Sequence, residues 1–126
     1  MRQGRNEIAP LVKKGERGLR TAKKLLKDGD SDFCASRAYY AMLHVTEALL
    51  LTKNIASSKH SGVLMLLYEH FVKPGLLEKT FHQDLHEAFE LRQQGDYWSD
   101  SGITVDMAEE ILQKAEKYIS VLKGLL

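Results

Sequence analysis

Between about Asp32 and Lys53 the chain carries apolar residues on nearly every side of a helical wheel. Phe33, Ala35, Ala38, Tyr39, Ala41, Met42, Leu43, Val45, Ala48 and the run Leu49 to Leu51 leave little polar circumference. A helix with one apolar stripe lies on a core, whereas a helix apolar nearly all round must be touched on several sides. This segment is therefore a central helix, and the rest of the chain has to supply the elements that surround it. No window shows sustained two-residue alternation with β-branched enrichment, so no sheet is expected.

The flanking segments read as helices. One runs from about Glu7 to Lys27, with Ile8, Leu11, Leu19, Ala22 and Leu26 among its apolar positions. Its Gly15 and Gly18 each lower helix propensity by roughly 1 kcal/mol against alanine, and would let another helix approach closely. Asp28-Gly29-Asp30 is a stop followed by a new start, with Ser31 or Asp30 able to cap the central helix. A third helix starts near Ser58 and stops at Pro74-Gly75. A fourth, about Glu78 to Gln94, has the stripe Phe81, Leu85, Ala88 and Phe89; Gly95 ends it, and a polar loop leads to Gly102. A fifth opens at Thr104 as N-cap, with Asp106, Glu109 and Glu110 near the positive end of its dipole. Five helices with short connections predict an all-α, five-helix antiparallel up-and-down bundle. A length of 126 residues suits a single domain, residues 1–126.

Composition narrows the function classes. The formal charge is +1, from 18 basic and 17 acidic residues, so binding to nucleic acid would need a local basic patch. A single cysteine, Cys34, allows no internal disulfide, and one Cys with five scattered His gives no structural zinc signature. His82 and His86 are four apart but lack a third ligand in any motif, so neither a metal nor a cofactor is expected. No apolar run approaches the roughly 20 residues that span a bilayer. The N-terminus lacks the apolar segment of a signal peptide, and a soluble cytoplasmic protein is expected.

Some polar residues do not fit a plain bundle. Arg37, Tyr40, His44 and Glu47 are spaced three, four and three apart, on one face of the central helix. Such a row can bind an anion or satisfy itself: His44 can pair with Glu47, and Arg37 with an acid from another helix. Arg92 takes the next stripe position after Phe89, where a core residue is expected. Its planar fork suits carboxylate or phosphate, and burying it unpaired would cost several kcal/mol. Asp96, one turn later, and Glu47 are its candidate partners. "SSKHSG", Ser57 to Gly62, opens the third helix, where free N–H groups favour anions and Lys59 and His60 add to that; Ser58 as a simple N-cap explains the motif equally well. Tyr97-Trp98, placed in a loop, can cover the end of the core, form a subunit contact or stack on a base.

"SRAYYAMLH" (Ser36 to His44), "SKHSG", "FVKPG" (Phe71 to Gly75) and "LRQQGDY" (Leu91 to Tyr97) together resemble the HEPN domain family, in its small stand-alone prokaryotic branch. The resemblance covers most of the chain. It implies a helical bundle that usually dimerises and a partner of the minimal nucleotidyltransferase, toxin–antitoxin type. Many members are metal-independent endoribonucleases whose motif is an arginine followed after four to six residues by a histidine. In that scheme the histidine moves the proton of the attacking 2′-hydroxyl and the arginine stabilises phosphate charge. Arg92 matches the arginine and is the candidate catalytic residue, but Tyr97, Trp98 and Ser99 stand where the histidine should follow. A tyrosine with a pKa near 10 is a poor base at neutral pH. His44 or His60 could substitute, although nothing in the sequence places either beside Arg92. The leading expectation is a homodimeric protein that binds a nucleotide or RNA phosphate through Arg37, Tyr40, His44, Lys59, His60, Arg92, Asp96 and Tyr97, beside a nucleotidyltransferase. A ribonuclease with a non-standard acid/base residue is the first alternative. A purely structural module, with Arg92 and Asp96 as a staple, is the second.

Overall fold

The predicted central segment forms α2, Ser31–Leu51, and 13 of its 21 residues are buried. In this computed structural model, which describes residues 4–126, α2 packs against each of the other helices. These are α1 (Ile8–Lys27, after a short 3-10 turn at Arg5–Glu7), α3 (His60–Leu67), α4 (Lys79–Tyr97) and α5 (Val105–Lys123). No strand occurs among the described residues. The fold is the all-α five-helix bundle that the apolar pattern predicts. No helix among the described residues is long and apolar enough to cross a membrane.

The closest helix packing is between α1 and α2. Gly15 is buried, and a methyl group in place of its hydrogen would lie 2.6 Å from Val45 Cγ2 and 2.9 Å from the Ala41 carbonyl oxygen. The residue that weakens α1 as an isolated helix is thus the one that seats it on α2. On the α5 side, Thr46 is fully buried. Its hydroxyl donates to the Met42 carbonyl (2.7 Å) and so accepts from the Tyr118 hydroxyl (2.6 Å). Both polar groups are satisfied inside the core, which removes the cost of burying them.

Four boundaries differ from the sequence expectation. Ser58 does not cap the third helix: Lys59 is the N-cap residue, and the Ser57 hydroxyl accepts from the Lys59 N–H at 3.2 Å. That helix stops as an α-helix at Leu67 and widens into a π turn over Tyr68–Val72, ahead of Pro74. Lys53 stabilises the widened turn by donating to the His70 carbonyl at 2.8 Å and lying 4.5 Å from the Phe71 ring centre. Neither Ser31 nor Asp30 caps α2 through its side chain among the described residues.

The fourth difference bears on the site. Gly95 does not end α4; the helix runs through it to Tyr97. Gly95 lies against the start of α2, where a methyl group would sit 3.6 Å from the Asp32 carbonyl oxygen and 3.4 Å from Ile103 Cδ1. Packing keeps it helical, and the left-handed glycine comes later, at Gly102 (φ 74°). The intervening loop is tied down: Gln94 donates to the Ser101 carbonyl, and the Ser101 hydroxyl donates to Asp32. Thr104 then caps α5 as expected, accepting from the Met107 N–H at 3.1 Å.

Candidate functional site

The inward register of α4 carries Arg92 into the angle between α2 and α3, where its side chain is 15% exposed. Its guanidinium carbon lies 5.5, 5.6 and 5.6 Å from the ring centres of Tyr39, Tyr40 and Phe89. A cation among three aromatic rings is held by their quadrupoles, an effect that strengthens as water is excluded. Nη1 donates to Asp96 Oδ2 at 3.1 Å, and Nη2 donates to His60 Nδ1 at 3.1 Å. The Nε–H is buried and has no hydrogen-bond partner among the described residues. The charge is therefore only partly matched, by one carboxylate that is itself 42% exposed.

His60 is the first residue of α3 and completes the aromatic cluster, with ring centres 5.5 Å from Tyr39, 6.0 Å from Tyr40 and 6.0 Å from Phe89. Burial lowers its pKa below the ordinary 6.5, the neighbouring Arg92 cation lowers it further, and Glu47 acts the other way. The ring is neutral at pH 7. Because Nδ1 accepts from Arg92, the single ring proton sits on Nε2, which makes that nitrogen a donor.

Along α2 the predicted row is partly self-satisfied. His44 Nδ1 and Glu47 Oε1 are 3.2 Å apart, the pairing expected from their spacing. Glu47 is not hydrogen-bonded to Arg92; of the two candidate partners, Asp96 takes that place. Arg37 finds no acid from another helix among the described residues and lies exposed, its guanidinium carbon 5.7 Å from the Tyr40 ring centre. Tyr40 thus has an arginine near its ring from α2 and another from α4.

Arg92, His60, Tyr40 and Asp96 come together, and Arg37 and His44 adjoin them through Tyr40. Two predicted residues stand apart. Lys59 is exposed, with no side-chain hydrogen bond or ion pair among the described residues. Tyr97 ends α4 as a 79% exposed side chain rather than lying in a loop, and Trp98 beside it is 66% exposed. Neither ring covers the core. Tyr39 and Phe89 were legible only as core positions, yet both flank the guanidinium. The Tyr39-Tyr40 pair was the available signal, since two adjacent tyrosines cannot both face one side of a helix.

The comparisons with known proteins agree with this architecture. Residues 9–125 match the HEPN domain family. A Methanocaldococcus jannaschii protein named "Putative toxin MJ0142" is 34% identical over 97% of this chain and 83% of its own length. An Archaeoglobus fulgidus protein named "UPF0332 protein" is 33% identical over 94% of each chain. The crystal structure of TT1696 from Thermus thermophilus superposes with a TM-score of 0.82 over 96% of this chain and 99% of that one; at 20% identity the likeness is one of fold. With the family match spanning all five helices and every residue of the Arg92 cluster, the chain belongs to the HEPN domain family.

Proposed function

We propose that this protein binds the phosphate of a nucleotide or of RNA at Arg92, and that it does so as a toxin-like HEPN homodimer working beside a minimal nucleotidyltransferase. The observation that carries the reading is the state of Arg92: a nearly buried guanidinium, backed by aromatic rings, with an unspent Nε–H and a neutral histidine donor beside it. A phosphate replacing Asp96 would accept from Nη1 in a charge-assisted hydrogen bond, and any movement that opened the buried Nε–H would add a second. The toxin-like assignment leans on the relative named "Putative toxin MJ0142", and the nucleotidyltransferase partner on the resemblance to the family. The homodimer leans on Phe33, Tyr97 and Trp98, each more than 60% exposed and gathered where α2 begins and α4 ends.

Calorimetric titration with nucleotides and short RNAs tests the binding. Saturable binding by the wild type that Arg92→Ala weakens at least tenfold is the expected result. No binding by the wild type, alone or with the nucleotidyltransferase, would sink the proposal. Sedimentation as a monomer at micromolar concentration would remove the homodimer from it.

The Arg92–His60 contact favours a second reading, metal-independent RNA cleavage, because it supplies from α3 the histidine missing after Arg92. The 2′-hydroxyl would attack the adjacent phosphorus and give its proton to His60. The P–O5′ bond would break, leaving a 2′,3′-cyclic phosphate, and the departing 5′-oxygen would take a proton from water. His60 can accept the 2′-hydroxyl proton on Nδ1 only after releasing Arg92, which is why binding is the primary reading. Chelator-resistant cleavage lost in both Arg92→Ala and His60→Gln would establish it, and RNA left intact after prolonged incubation would remove it.

A further inference from the structure

A groove of about 210 Å³ runs between α1 and α2 on the other side of the Arg37 row. Lys14, Arg17 and Thr21 line it from α1, and Arg37, Tyr40 and His44 from α2. We infer that this groove is a second phosphate subsite, holding the sugar–phosphate backbone of an RNA strand whose neighbouring phosphate lies at Arg92. The inference rests on the proposed reading of Arg92 and extends it from a single phosphate to a strand.

Charge is the first argument. Three cations line the groove and no carboxylate does; the nearest carboxylate partner of a lining residue is Glu47, paired with His44. Lys14, Arg17 and Arg37 form no ion pair among the described residues, whereas elsewhere on α1 Lys23 is paired with Glu116 at 2.7 Å. The groove between α4 and α5 is instead lined by Glu87, Glu90 and Glu110. A chain with a formal charge of only +1 thus gathers unpaired positive charge on one face, and a local patch of this kind attracts a polyanion without a basic chain overall.

Shape is the second argument. Gly18 forms part of the lining with no side chain of its own; a methyl group there would come within 3.4 Å of Ala41 Cβ and 3.8 Å of Arg37 Cδ. The volume lies below the roughly 300–1,000 Å³ of pockets that enclose a small molecule. It suits a phosphate of a chain passing over the surface better than a whole nucleotide. Continuity is the third. Tyr40 lines this groove, and its ring centre is 5.7 Å from the Arg37 guanidinium carbon and 5.6 Å from that of Arg92. The two anion sites share one tyrosine, the arrangement a continuous backbone needs. Contacts of this type position a strand without reading its sequence.

The test is fluorescence anisotropy with a short labelled oligoribonucleotide, and calorimetry with AMP, on the wild type and on Lys14→Ala/Arg17→Ala. Both substituted residues are exposed, and equal thermal melts check that the fold is retained. The double variant should bind RNA about tenfold or more weakly and lower the slope of log K against log salt by about 0.7 for each phosphate that is no longer neutralised. Its AMP affinity should stay within twofold of the wild type. Unchanged RNA affinity and slope, with wild-type binding intact, would overturn the groove while leaving the Arg92 reading in place. Loss of AMP binding in the double variant would make the groove a mononucleotide site and overturn the strand. A wild type that binds neither probe removes both sites together.

Discussion

His60 and Arg92 are 32 residues apart in sequence and 3.1 Å apart in space, joined through His60 Nδ1 and one guanidinium nitrogen. That contact fixes the tautomer of the ring and adds to burial, the larger cause, in lowering its affinity for a proton. It also leaves Arg92 with donors to spare.

The depressed His60 pKa makes stability depend on pH in a known direction. As pH falls through about 6.5 an unfolded chain protonates this histidine, while the folded protein resists. The unfolded state then binds more protons, so stability falls with pH below about 6.5 and levels off once pH passes the folded value. Above that window the contribution is flat. Urea midpoints between about pH 5 and 8 should show the decline in the wild type and less of it in His60→Gln. The difference between the two isolates His60 from Asp84, whose carboxyl burial pushes up. An NMR titration placing the His60 ring above 6.5 would contradict the account.

Asp96 competes with any phosphate for Arg92. Asp96 is partly open to water but Arg92 is nearly buried, so Asp96→Asn should cost more than the about 0–1 kcal/mol of an exposed pair and less than the about 3–5 kcal/mol of a fully buried one. Phosphate or nucleotide affinity should rise several-fold, because an anion no longer has to displace a carboxylate. Weaker binding in Asp96→Asn would mean that the carboxylate positions the guanidinium rather than blocking it. Arg92→Lys should not rescue Arg92→Ala, since one ammonium cannot reproduce a fork that reaches Asp96 and His60 together.

Gly15 and Gly18 should respond oppositely to alanine. Gly15→Ala forces a methyl group against Val45 and the Ala41 carbonyl, and a cost of about 1–3 kcal/mol is expected. Gly18→Ala has ordinary contacts only and should be neutral or stabilise by up to about 1 kcal/mol through helix propensity. Thermal melts of the two variants decide the matter; equal shifts would refute the packing argument.

Thr46 and Tyr118 form a closed polar pair in the core. Thr46→Val strands the buried Tyr118 hydroxyl and should cost about 1–3 kcal/mol. Adding Tyr118→Phe should recover part of that loss, because no donor is then left without an acceptor. Denaturation of the two single variants and the double variant forms a cycle, and simple additivity would show that the two hydroxyls do not act together.

The bundle was legible because it follows from one periodicity: a segment apolar on every side has to be surrounded, and α2 is. Helix ends were less so. Gly95 has the local signature of a stop, but its contacts with Asp32 and Ile103 come from elsewhere in the chain and no local rule contains them. The site divides in the same way. Arg92 could be picked out as a charge in an apolar stripe, and Asp96 as its partner, since both lie on one helix. His60 could not be joined to them, because that contact depends on how α3 crosses α4. Lys14 and Arg17 carry no sequence mark at all; they are ordinary exposed cations until α1 is laid beside Arg37.

The passage of α4 through Gly95 makes that position a spacer. The gap between the last turn of α4 and the first residues of α2 is about one methyl group wide, so alanine fits, and a longer side chain directed at Asp32 and Ile103 would push the two apart. Asp96, Tyr97 and Trp98 ride on that turn. Side-chain size at a position that touches no ligand would therefore set how far the end of α4, with Arg92 and Asp96 moving together on it, stands from the start of α2.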